Sequence, residues 1–229
     1  MSNGIIELQN RTDLVQSGPP ARGILFVVSS PSGGGKGTLI NRVLNTVPGV
    51  SYSVSYTTRG PRDGEIDGRE YFFVSRERFE RMIAANDFLE WAHVHCHLYG
   101  TGREQVLREA AEGRDIILEV DVQGAASVRR LITDSVSVFI LPPSFAVLRD
   151  RLIARGTDSP EELEVRLTTA PQELLQYATF DYVIINDEVD RASAQLASIV
   201  YAERARRQRQ EAQVQSILKN FLPSELTSN

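Results

Sequence analysis

Residues 30–37 carry the first arrangement able to do chemistry. Gly35 and Lys36 stand where the phosphate-binding pattern G-x-x-x-x-G-K-[ST] has its second glycine and its lysine. Ser30 replaces the first glycine and Gly37 the hydroxyl residue, with Thr38 one place beyond. Led in by Ser32, the glycines Gly33, Gly34, Gly35 and Gly37 let backbone N–H groups converge on an anion, and a helix starting here adds positive potential. Lys36 supplies a point charge to the β- and γ-phosphates of a nucleotide, and Thr38 is the candidate hydroxyl for a nucleotide-bound Mg²⁺. Taken alone the match is degraded, and a glycine-rich turn with a solvated lysine is the plainer alternative. The flanks argue against it. Residues 24–30 are a short apolar run that stops at Pro31, as a parallel strand buried on both faces reads. Leu39, Ile40, Val43, Leu44 and Val47 then recur at helical spacing until Pro48 and Gly49.

A second cluster is cationic. Arg59 and Arg62, braced by Pro61 and Gly64, form a short rigid loop. Arginine suits a phosphate because its planar fork bonds two oxygens at once, and Tyr71 adds a hydroxyl donor. A basic surface hairpin with an aromatic core residue is the plainer reading. Further on, residues 149–167 hold an arginine-rich helix end, a break around Gly156 and a polar helix start at Pro160, the composition of a mobile lid. His93, His95, Cys96 and His97 invite a zinc reading. Zinc sites of this kind draw on two separated ligand pairs, and in a single strand the three histidines share one face while Cys96 points away. No biological metal is expected there.

The elements that position these groups alternate. Residues 115–120, 136–141 and 182–185 read as strands, the first two each followed by a helix, which implies a parallel sheet with right-handed crossovers. Residues 51–100 differ: short alternating segments and turns, with one helix near 76–85. From Arg191 the chain reads as helical, with Ala192, Leu196, Ile199 and Val200 as one apolar stripe. Val214, Ile217, Leu218 and Phe221 form a second, able to pack on the core or on another subunit. The net charge of -5 over 229 residues argues against a nucleic-acid binder, so any bound anion needs a local cluster of cations. One cysteine allows no internal disulfide and points to a reducing compartment. No apolar run approaches a membrane span, and residues 1–21 read as a polar leader without a signal-peptide core. A cytoplasmic protein with no membrane partner is expected.

Ser55, Thr57, Thr58, Arg59, Pro61, Arg62, Gly64, Glu65, Gly68, Tyr71 and Phe73 stand in the pattern S-x-T-T-R-x-P-R-x-G-E-x-x-G-x-x-Y-x-F. By this pattern the chain resembles the guanylate kinases. The likeness continues through Glu90, Tyr99, Thr101, Asp121, Arg151, Arg155, Thr157, Arg166 and Asn186, across residues 22–207. It implies an α/β P-loop three-layer sandwich with a parallel sheet, an inserted β-rich GMP-binding lobe and an arginine-rich lid. Residues 22–54 and 102–207 would be the core, with the lid at about 150–167, residues 55–101 the lobe, and residues 208–229 a helical tail. It implies ATP-dependent phosphorylation of GMP, with dGMP as a second acceptor and MgATP as donor.

By the same likeness Arg59, Arg62, Tyr71 and Tyr99 meet the GMP phosphate, Ser55 belongs to the same loop, and Glu90, Thr101 and Asp121 lie near guanine. Arg151, Arg155 and Arg166 close over the transferring group, and Asn186 lies near adenine. Glu90 has independent support. Guanine offers adjacent N1–H and 2-amino donors to a carboxylate's two acceptors, whereas adenine turns an acceptor toward it. The sequence departs from the family at Glu119, where aspartate is usual, and at His93, His95, Cys96 and His97, where the family has no such cluster; at Gly37 it departs from the phosphate-loop pattern, and there the loop resembles that of adenylate kinases. A guanylate-kinase-like interaction module without activity, or a kinase for another phosphorylated small molecule, are the alternatives. Lys36 and the lid arginines argue against the first, and Ser55, Glu90, Thr101 and Asp121 against the second.

Overall fold

Runs that are apolar on both sides end up with both faces covered. All of β1 (Leu25–Ser29) is buried, and it lies between β7 (Asp115–Glu119) and β8 (Val136–Leu141). With β2 (Val50–Ser53) and β9 (Tyr182–Ile185) these make a five-stranded sheet in the order β2-β7-β1-β8-β9. Every pairing in it is parallel. This is a computed structural model, and it describes residues 23–94, 96–156 and 159–221. The leader, His95, Thr157 and the end of the tail lie outside the described residues.

Helices cover both faces of the sheet. On one, Leu39, Ile40 and Val43 of α1 (Lys36–Thr46) and Leu196 and Val200 of α7 (Val189–Arg204) pack on Phe26, Val28, Val138 and Ile184. On the other, Val106 of α3 (Arg103–Ala111) and Ala125 and Val128 of α4 (Val122–Leu131) pack on Leu25, Val27, Ile116 and Leu118. Three layers result. In such a sheet ligands bind beyond the carboxyl ends of the strands, where the order reverses, here at β1. Asp115 ties the opposite end: Oδ1 accepts from Ile24 N at 2.7 Å and Oδ2 from Arg204 Nε at 2.7 Å.

A second sheet, ordered β4-β3-β6-β5, grows out between β2 and α3. It contains β3 (Ser55–Thr57), β4 (Tyr71–Phe73), β5 (Phe88–Val94) and β6 (His97–Gly102). Phe79 of α2 (Arg76–Ala84), Phe88 and Leu98 form its own small core. Gly100 makes that packing feasible, since a Cβ there would lie 2.8 Å from Phe88 Cδ1. Leu89, next to Phe88, packs into the main core and so joins the two parts.

The histidine segment is not one strand. Val94 pairs with His97 and His93 with Leu98, so the chain reverses between them. His93 and His97 therefore sit on two antiparallel strands rather than in succession along one face. Among the described residues no group of three or more His, Cys, Asp or Glu is placed to hold a metal ion.

The arginine-rich segment is two helices. α5 (Phe145–Arg155) ends on Gly156 at φ 64. α6 (Pro160–Leu174) starts with a capping box, in which Ser159 accepts from Glu162 N and the Glu162 carboxylate accepts from Ser159 N. Leu148 and Leu152 pack against Ala170 between them. The second apolar stripe falls on α8 (Arg207–Phe221), and Val214, Ile217 and Phe221 are exposed there rather than docked on this chain's core. Among the described residues no helix is long and apolar enough to cross a membrane.

Candidate active site

A cleft of about 550 Å³ opens at the carboxyl ends of β1 and β7, with the second sheet as its far wall. Its floor is the turn from β1 into α1. Gly33 at φ 83 and Gly35 at φ 88 adopt the left-handed backbone that the turn needs. At Gly34 a Cβ would come within 2.6 Å of Ser30 Oγ. Lys36 folds back over the loop, its Nζ donating to Ser30 Oγ at 3.1 Å. Thr38 is exposed at the cleft edge.

Asn186, at the end of β9, clips this loop from behind. Its Nδ2 donates to Gly34 O at 2.9 Å, and a Cβ on Gly35 would fall 2.4 Å from the same nitrogen. Arg151 Nη2 donates to Asn186 O at 2.9 Å. Asn186 Oδ1 and Arg151 Nη1 are buried and have no hydrogen-bond partner among the described residues. Both residues line a neighbouring cavity of about 260 Å³ together with Gly33, Gly35, Thr38 and Arg155. Arg166 reaches across from α6, its Nη1 donating to Ser32 Oγ at 2.7 Å.

The opposite wall carries the cationic loop. Arg59 meets both oxygens of Glu65 at 2.9 Å and lies over the rings of Tyr71 and Phe73. Partial burial works to raise the Glu65 pKa, but the bonds from Arg59 and from Arg62 N outweigh it and hold the carboxyl below its ordinary value. Burial and nearby carboxylates push the Tyr71 phenol well above its usual range, so it stays a protonated donor. Tyr99 stacks edge-on against Tyr71, and Ser55 and Arg62 line the same cleft.

Glu90 is the buried carboxylate of the site. It is 6% exposed on β5 and accepts a 2.6 Å hydrogen bond at Oε1 from Thr101, its cross-strand partner on β6. Its Oε2 lies against the first turn of α4, where a Cβ on Gly124 would approach to 2.8 Å. Asp121 caps that helix by accepting from Gly124 N. Burial raises the Glu90 pKa to about 7, with Asp121 adding to the rise and Thr101 opposing it.

The expected phosphate-loop residues, Ser55, the cationic-loop pair, Tyr71, Glu90, Tyr99, Asp121, Arg155 and Arg166 all border this one cleft, while Thr101 sits buried behind Glu90. Three groups carried no expectation. Glu173, on α6, accepts from Ser32 N at 3.2 Å across a sequence gap that leaves no local signal. Tyr52 donates to Glu119 Oε2 at 3.4 Å from the neighbouring strand. Glu65 was legible only as a letter of the lobe pattern, and it braces the loop more directly than Pro61 or Gly64.

Comparison with known proteins gives the same picture over most of the chain. The guanylate kinase family model matches residues 22–203. The guanylate kinase of Symbiobacterium thermophilum is 51% identical over 185 residues, covering 81% of this chain and 88% of that protein. That of Neisseria meningitidis serogroup B is 49% identical over 199 residues, covering 87% and 97%. The crystal structure of guanylate kinase from Anaplasma phagocytophilum superposes with a TM-score of 0.70 at 33% identity, covering 81% of this chain and 88% of that one.

Proposed function

The chain belongs to the guanylate kinase family, and from that premise we propose that it transfers the γ-phosphoryl group of ATP directly onto GMP, giving ADP and GDP, in purine nucleotide metabolism. The observation that carries the reading is Glu90. A buried carboxylate, fixed by Thr101, faces the same cleft as the Lys36 loop. This supports reading Glu90 as the acceptor for two adjacent donors, opposite a phosphate cradle.

The acceptor is a phosphate monoester whose second pKa is near about 6, so it is largely dianionic at pH 7. One of its oxygens attacks the γ-phosphorus in line, and the oxygen bridging to the β-phosphate leaves with ADP. No strong general base is needed. The obstacle is repulsion between two polyanions. Lys36, Arg151, Arg155 and Arg166 on the ATP side and Arg59 and Arg62 on the GMP side answer it with local positive charge, despite the net charge of -5. Tyr71 and Tyr99 add hydroxyls to the acceptor phosphate. Ser55, Glu90, Thr101 and Asp121 hold the base, and the backbone of Ser32, Gly33, Gly34, Gly35, Gly37 and Thr38 cradles the donor phosphates. Asn186 Oδ1 and Arg151 Nη1, without partners among the described residues, offer the adenosine end an acceptor and a donor. Closure of the lobe (residues 55–101) and the lid expels water and suppresses ATP hydrolysis.

The residues fit a divalent ion carried by ATP. Beside the start of α1 the side of Gly37 is open, and a Cβ there would meet only Glu119 Oε2, at 3.8 Å. Thr38, Glu119 and Asp121 line the same cleft and are the hard oxygen groups that would hold such a cation, directly or through water. Mg²⁺ carried by ATP would supply neutralisation of the charge on the donor phosphates. A cytoplasmic location is supported by the single cysteine, exposed and unpaired. A coupled assay for ADP release with GMP, AMP, CMP and UMP in parallel tests the function. Turnover with GMP and near-background rates with the other three are expected, and equal rates with AMP would sink the reading.

A further inference from the structure

We propose that Glu65 is a positioning residue of the acceptor-phosphate site, which locks Arg59 and the Arg62 turn so that one pre-aimed N–H fork of Arg59 faces the phosphate. The proposal rests on the reading of Arg59 and Arg62 as the GMP-phosphate arginines.

The Arg59 guanidinium has five N–H groups in a fixed plane. Nη1 donates to Glu65 Oε2 at 2.9 Å and to Gly60 O at 2.6 Å, which uses both its hydrogens. Nη2 donates one hydrogen to Glu65 Oε1 at 2.9 Å. The hydrogens left are the second on Nη2 and the one on Nε. They lie parallel along one edge of the plane, and such an edge matches two phosphate oxygens. Tyr99 also meets the guanidinium. Its hydroxyl rotates and can share a phosphate rather than block it. The guanidinium carbon also lies over two neighbouring rings on one side of it, Tyr71 at 5.4 Å and Phe73 at 5.6 Å.

Glu65 fixes the second arginine through the backbone. Its Oε2 accepts from Arg62 N at 2.8 Å, and its own N donates to Arg62 O at 3.0 Å. The turn between them passes through Gly64 at φ 83. One carboxylate thus bonds the side chain of one arginine and the backbone of the other, with Arg59 and Glu65 only 11% and 17% exposed. An arginine free to sample its rotamers loses much of that freedom on gripping a phosphate, and the brace removes the loss in advance.

The charge of Glu65 works in the opposite direction, because it repels an incoming phosphate. The two effects predict opposite signs, so the experiment is decisive. Glu65→Gln keeps the size but offers Arg59 one acceptor instead of two. Binding of GMP and of guanosine, which has no phosphate, is titrated on wild type, Glu65→Gln and Arg59→Ala, alongside KM and kcat. Glu65→Gln is expected to weaken GMP binding about tenfold, raising KM for GMP with little change in KM for ATP and none in guanosine affinity. A gain in GMP affinity, no change, or an equal loss for guanosine would overturn the proposal. Unchanged GMP binding in Arg59→Ala would instead overturn the acceptor-site reading, and the proposal with it. Loss of GMP binding in Arg59→Ala with none in Glu65→Gln would overturn the proposal alone.

Discussion

The Thr101 hydroxyl and Glu90 Oε1 are 2.6 Å apart, in register on the antiparallel strands β6 and β5. The bond spends one carboxylate lone pair inside the protein and fixes the plane of the group. It does not repay burial, and the Glu90 pKa stands at about 7. A carboxylate raised in the folded state loses stability as it ionises. The unfolded chain holds fewer protons than the folded one between pH about 4.5 and 7. The Glu90 contribution to stability is therefore fully present below pH about 4.5 and declines as pH rises through 7, by on the order of 3 kcal/mol. Binding has the opposite slope, because guanine needs the ionised form. Guanosine affinity should rise as pH climbs from 5.5 to 8, while the stability of the free enzyme falls. Glu90→Gln should flatten both curves. A guanosine affinity independent of pH in wild type would show that Glu90 is not the group that reads the base. Guanosine isolates this effect from the titration of the GMP phosphate.

Lys36 lies over the phosphate loop, held to Ser30, with Nζ on Ser30 Oγ at 3.1 Å. Its charge is aimed into the cleft before substrate arrives. Lys36→Ala should cut kcat at least about a hundredfold with the melting transition unchanged. Near-normal turnover in the purified variant would mean that this loop is not the donor site.

Gly35 tests the clip. Its φ of 88 is unfavourable for any side chain, and the Cβ of an alanine would fall 2.4 Å from Asn186 Nδ2. Gly35→Ala should cost roughly 1–2 kcal/mol from the backbone alone and push Asn186 off Gly34 O. Chemical denaturation and separate titrations of ATP and GMP check this, with the loss expected for ATP. Equal weakening of both nucleotides would point to global damage instead.

The strand, turn and first helix around Lys36 were legible because they depend on local patterns: an unbroken apolar run, glycines, then helical spacing. The Asn186–Gly34 and Glu173–Ser32 bonds were not, since their partners lie 152 and 141 residues apart. No periodicity links such positions, and only the crossover topology brings strand ends together. The reversal in the histidine segment was illegible for a different reason. Between the paired Val94 and His97 stand only His95 and Cys96. A hairpin connection that short is normally announced by glycine or asparagine. Without that signal the alternation of His93, His95 and His97 fits a single strand as well as a hairpin. The stripe on α8 was legible as an apolar face but not for what covers it, because helical spacing reports a face and not what lies against it; exposure of Val214, Ile217 and Phe221 removes packing on this chain's core.

Base choice tests the whole reading. If Glu90 accepts from N1–H and the 2-amino group, inosine monophosphate should be a poorer substrate than GMP, since it keeps N1–H and lacks the amino donor. AMP should be worse again, because its N1 is an acceptor turned toward a carboxylate. A buried hydrogen bond to a charged group is worth roughly 1.5–3 kcal/mol, or about ten- to a hundredfold. That factor should separate GMP from inosine monophosphate in kcat/KM, and at least as much again should separate inosine monophosphate from AMP. Glu90→Gln should narrow both gaps, since an amide offers adenine a donor. Thr101→Val should act differently: it removes the 2.6 Å bond but leaves the carboxylate, so it should lower kcat/KM for GMP and inosine monophosphate together and preserve their ratio. Comparing the two variants with all three nucleotides separates reading the base from orienting the reader. An unchanged GMP to AMP ratio in Glu90→Gln would move base selection elsewhere, with Asp121 and Ser55 the next groups to substitute.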